Sequence, residues 1–145
     1  MHSHPFDEKK DYAPTPFDRR HCEMAARLKQ AGLRWFVHVG CFAWDPQGYL
    51  ADFSLLPNRV YFIINLSIFA RALGGIENIH RRLVWLPTWH QARLLCREYG
   101  VSDEAVAAIW SSSQPMGPGD ELIALYELLL AKLQERTHVK SEASG

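Results

Sequence analysis

The sequence predicts an α+β domain: a small antiparallel sheet of about three strands within residues 35–64, packed with a mostly helical C-terminal half. Three observations predict it. Trp35 to Trp44 is crowded with aromatic and β-branched residues and runs into Asp45-Pro46-Gln47-Gly48, a four-residue turn signal. Val60 to Ile64 repeats that strand-forming composition. After residue 87, apolar residues recur at helical spacing between successive start and stop signals: Thr88, Gly100, Ser102 and Asp120.

The chain has 145 residues, the size of one domain, and 48% of them are apolar, enough for a core without cross-links. Aromatic residues make up 12%, more than a disordered chain carries. Sixteen basic residues balance sixteen acidic ones, so no overall field favours nucleic acid or a membrane surface. Cys22, Cys41 and Cys96 are odd in number and far apart, which argues against a disulfide framework and for a reducing compartment. No apolar run approaches the ~20 residues of a membrane span, and the polar N-terminus lacks the core of a secretory signal. A cytoplasmic location is expected. Residues 1–17, punctuated by Pro5, Pro14 and Pro16, read as a flexible arm. Residues 18–136 read as one globular domain and 137–145 as a disordered tail.

Taken in order, the first helix starts at Asp18 as N-cap, holds Ala25, Leu28 and Ala31, and ends at Gly32. The strand Trp35 to Trp44 is apolar on both faces, as a central or doubly covered strand would be. Past the 45–48 turn, Tyr49 to Ser54 is expected to return as its hairpin partner. Val60 to Ile64 is the third strand, followed by a helix from Leu66 to Leu73 capped by Asn65 and closed by Gly74-Gly75. One continuous helix from Asn58 to Leu73 is the competing reading, since short apolar runs do not separate the two. Ile76 to Leu83 is a short helix and Val84 to Pro87 a connector. Helices follow from Thr88 to Tyr99, from Asp103 to Ser112, and from Asp120 onward.

Residues 91–110 carry the most specific motif. The chain there resembles the helix-turn-helix pattern of DNA-binding proteins: Gly100 at the turn, small Cys96 four residues before it, and Leu95, Val101, Val106 and Ile109 at its buried positions. The resemblance spans about twenty residues and implies DNA contact through the second helix. That helix, however, reads Asp-Glu-Ala-Val-Ala-Ala-Ile-Trp, and carboxylates would face phosphates. The surrounding charge is uneven. Residues 59–97 hold Arg59, Arg71, Arg81, Arg82, Arg93 and Arg97 against Glu77 alone, whereas residues 98–136 hold seven acids against Lys132 and Arg136. The two blocks either neutralise each other internally, stay solvated, or serve a partner.

Trp85 and Trp89 are candidates for a ligand or an interface, with core packing the ordinary alternative. His38 and Cys41 lie three apart, which on a strand points them to opposite faces unless Gly40 makes a bulge, so no metal set is expected. No Gly-x-Ser-x-Gly, P-loop or dinucleotide loop supports catalysis or a cofactor. The last helix is apolar around much of its circumference, so it is either sunk in the core or meets another subunit through Leu125, Leu129 and Leu130. The reading that follows is a non-enzymatic interaction or accessory module that forms a homo-oligomer. A nucleic-acid-binding regulator using the helix-turn-helix-like unit 91–110 and the basic segment 59–97 is the first alternative, and an enzyme of unidentified reaction the second.

Overall fold

The computed structural model describes residues 3–50, 56–111 and 114–143, with side chains to residue 140. It is α+β, with six helices and a three-stranded antiparallel sheet among those residues. Helix α1 (Arg19–Gln30) is capped by Asp18, whose carboxylate accepts the backbone N–H groups of Arg20 at 2.8 Å and His21 at 3.2 Å. Its inward side is His21, Cys22, Ala25 and Leu28. The arm before it is more anchored than its composition suggests. His4 and Asp11 are hydrogen-bonded, and Phe17 is buried with its ring centroid 5.3 Å from that of Phe42.

The strands are β1 (Phe42–Trp44), β2 (Val60–Phe62) and β3 (Val84–Leu86), in the order β2-β1-β3. Strand β1 is central, as its two apolar faces suggested, but it is shorter than Trp35 to Trp44. Gly40 sits at φ +100° and the Cys41 N–H turns back to the His38 carbonyl at 3.3 Å, so the regular strand starts at Phe42, with the Gly40 N–H on the Ile63 carbonyl at 2.8 Å and the Ile63 N–H on the Cys41 carbonyl at 2.9 Å beyond it. The 45–48 turn forms, with the Gly48 N–H on the Asp45 carbonyl at 3.3 Å. The expected hairpin does not follow in the described residues. Tyr49 and Leu50 are turn, and residues 51–54 lie outside the description. The buried Asp45 carboxylate takes the Leu50 N–H at 2.7 Å, and both edges of β1 are already paired, Ala43 opposing Tyr61 on one side and Trp85 on the other. Val84 to Leu86, expected as a connector, therefore supplies the third strand. The separate strand and helix of residues 60–73 replace the single-helix alternative.

Period-two alternation sends the strand side chains into two cores. Val60, Val84 and Leu86, with Phe42 and Trp44 beside them, join the cluster built on α1, α4 (Trp89–Glu98) and α6 (Pro118–Ala143). Ala43 and Tyr61 join Cys41, Ile63, Leu73, Ile79 and Leu83 under α2 (Leu66–Leu73) and α3 (Ile76–Arg82). The sheet thus lies between two helical layers. Asn65 caps α2 through the N–H groups of Ser67 and Ile68, and Gly74 ends it in the left-handed region. Helix α5 (Asp103–Trp110) makes the remaining corner with α4. Helix α6 begins at Pro118, a residue suited to a first helical position, with Asp120 accepting the Gly117 N–H at 3.1 Å. It continues to Ala143, past Arg136 where the polar tail was expected to fray. No helix among the described residues is long and apolar enough to cross a membrane.

Candidate interaction surface

Helix α4 is started by a reciprocal cap: Thr88 Oγ1 accepts the Gln91 N–H at 3.2 Å and Gln91 Oε1 accepts the Thr88 N–H at 3.0 Å. Ala92, Leu95 and Cys96 face inward. That rotation leaves His90, Leu94, Arg97 and Glu98 exposed, Leu94 by 53%. At the N-terminal end of the helix, Trp89 and Trp110 meet edge to face with ring centroids 5.3 Å apart, and both stay substantially exposed. Trp110 is held in place because its Nε1–H donates to Glu121 Oε1 of α6 at 3.2 Å. Trp89, His90, Arg93, Leu94 and Arg97 line a shallow cleft of about 350 Å³.

The helix-turn-helix-like corner exists in three dimensions. Gly100 turns the chain at φ +83°, the Val101 N–H reaches the Cys96 carbonyl at 2.8 Å, and Val106 is buried beneath α5. Its second helix presents Asp103 and Glu104 at the end that would meet a phosphate backbone. Asp103 is already engaged, its Oδ1 lying 3.4 Å from Arg97 Nε. Among the described residues this is the ion pair that joins the basic and acidic blocks. Asp120 pairs instead with Arg20, and Glu135 with Lys132.

The six arginines do not form one array. Arg59 donates to the Pro46 carbonyl at 3.0 Å. Arg82 lies 4.5 Å over the Tyr49 ring and reaches the Leu73 carbonyl at 3.4 Å. Arg71 and Arg81 are exposed on α2 and α3. Arg93 and Arg97 share the α4 cleft. Of the two candidate tryptophans, Trp89 belongs to this surface, while Trp85 stacks on Trp35 at the far side of the sheet. Leu125, Leu129 and Leu130, expected as interface residues, are 0%, 0% and 5% exposed. They are enclosed by the chain's own α1, α4 and β3, so any association must use another surface.

Among the described residues no group of three histidine, cysteine or acidic side chains comes together. All three cysteines are free and buried. Burial, helped by the charges of Asp18 and Glu23, pushes the Cys22 thiol up to about 12. Burial also raises Cys96, with Arg93 opposing it. Both thiols are thereby disfavoured as thiolate nucleophiles.

Sequence reasoning missed two features. The outward stripe of α4 was legible in principle, since His90, Leu94 and Glu98 stand four apart. The other is His21, fully buried where a residue just after a cap would ordinarily be solvated. No family model, curated protein or solved structure matches this chain.

Proposed function

We propose that this protein is a non-enzymatic module that self-associates through the exposed face of α4. The observation that carries the reading is the stripe His90, Leu94, Glu98, exposed at i, i+4 and i+8 on a helix whose opposite side is fixed in the core. A two-fold axis through Leu94 with the two helices antiparallel sets leucine on leucine and places each His90 against the other copy's Glu98. Opposite ends of the stripe are thus complementary, and the surface complements itself. The Trp89–Trp110 pair extends the apolar area at each end, where rigid aromatics are favoured at interfaces. Helix α4 has ten residues, so the contact is small and the expected affinity weak, with Kd on the order of 10–100 μM.

Sedimentation velocity over about 5–500 μM tests it. The wild type should shift toward dimer with concentration, and Leu94→Glu should remain monomeric. His90→Glu, which opposes two carboxylates, should weaken association, and the double substitution His90→Glu with Glu98→Arg should restore it. A wild-type chain that stays monomeric throughout sinks the proposal. So would retardation of a duplex DNA at low salt that is lost in Arg93→Glu, which would assign the cleft to nucleic acid instead.

A further inference from the structure

On the other side of the molecule, beside the outer edge of β3, α1 and α3 leave a recess of about 200 Å³ lined by Ala25, Lys29, Leu33, Trp35, His80 and Trp85. We propose that it is a binding site for a small organic anion: an apolar ring or short chain bearing one carboxylate. The site is independent of the α4 surface.

The walls define the apolar part of the ligand. The Trp35 and Trp85 rings lie parallel within 5° with centroids 6.3 Å apart, and the His80 ring stands edge-on to Trp35 at 5.7 Å. Ala25 and Leu33 complete an apolar lining. The volume is below the ~300–1,000 Å³ of drug-sized sites, which restricts the occupant to a small molecule.

The polar groups define the rest. The indole N–H groups of Trp35 and Trp85 are both buried and both lack an acceptor. An indole nitrogen can only donate, and native interiors leave few donors unpaired. Both belong to side chains that line the recess. Lys29 Nζ adds a cation at the rim, donating to the Arg81 carbonyl at 3.2 Å and the Leu83 carbonyl at 3.0 Å. An ammonium has three N–H groups, so one remains. Partial burial already pushes the pKa of Lys29 down, and an anion nearby would offset that. No aspartate or glutamate lines the recess. The site therefore offers donors and positive charge around an apolar floor, and a carboxylate, which only accepts, is the group that answers all of them.

Benzoate is the probe, read by the indole N–H signals of the ¹⁵N-labelled full chain and assigned with Trp35→Phe and Trp85→Phe. Benzoate should move the Trp35 and Trp85 signals with a Kd in the range of about 0.1–10 mM and leave the other three indoles in place. Benzyl alcohol, of similar size but neutral, should bind at least ~10-fold more weakly. Lys29→Met should bring benzoate down to the level of the alcohol while the remaining indole signals report an intact fold. If Lys29→Met does not fold, the comparison of the two probes on the wild type still decides. The proposal is overturned if neither signal moves by about 20 mM benzoate, if the alcohol matches the acid, or if sodium chloride alone produces the same shifts.

Discussion

Leu129→Ala is expected to lower the free energy of unfolding by about 2–5 kcal/mol, measured by denaturant titration with unchanged slope. Leu129 is fully buried on α6, in one cluster with Leu28 of α1, Leu86 of β3 and Leu95 of α4. Removing its branched end takes away three carbons from a close-packed site where four elements meet and cannot easily collapse. The size of the loss also separates two roles that the sequence left open. A leucine at a weak interface would change the association state and barely touch the stability of the monomer. Leu94, at 53% exposure, is that case, and Leu94→Ala should move stability by less than about 0.5 kcal/mol. A small stability loss for Leu129→Ala would mean that α6 is not packed as described.

His21→Ala should cost about 2–4 kcal/mol, unusual for a residue in the first turn of a helix. The ring is fully buried, and its Nε2–H donates to the Gly119 carbonyl at 2.8 Å, joining the start of α1 to the start of α6. Its Nδ1 lies 2.9 Å from Asp18 Oδ1, to which it donates, and 3.3 Å from the Asp18 backbone nitrogen, closing the cap. Phe17 and Tyr126 hold the ring edge-on from two sides. Alanine strands the Gly119 carbonyl and leaves a hole between the two aromatics.

The same clasp predicts an acid response. Partial burial raises the Asp18 carboxyl, but hydrogen bonds from the His21 ring and backbone and from Arg20 outweigh it and hold the group at about 2, against 3.8 unfolded. With a depressed folded value, the stability Asp18 contributes is complete above 3.8, diminishes below it, and is lost as pH falls through about 2. Asp18→Asn should flatten the stability profile in that window. An unaltered acid slope in the variant would remove Asp18 from the account.

How much of this could be read in the chain divides by range. Asp18, Asn65, Thr88 and Ser102 each cap the helix expected of them, because a cap is decided by a few neighbouring atoms. The strands were harder. Each is three residues long, too short for alternation to show, and β3 becomes a strand only because the far side of β1 is open to it. Gly40 was visible as a bulge site, but not that its left-handed turn would come with the loss of seven of the ten expected strand residues. The leucines of α6 showed how much of that helix avoids water, while what covers each side depends on α1 and α4 arriving from distant sequence. For the same reason the paired, unsatisfied indoles of Trp35 and Trp85, fifty residues apart, left no local signature.

The buried sulfurs give the molecule two internal clocks. Cys41 belongs to the cluster beneath α2 and α3, whereas Cys22 and Cys96 belong to the opposite one. Closed in this way, none can meet a thiol-specific reagent until the backbone around it parts, so alkylation under native conditions times that parting. Modification of Cys41 ahead of the other two would report the α2–α3 flap lifting alone. Equal rates at all three would show that the two halves come undone in one event.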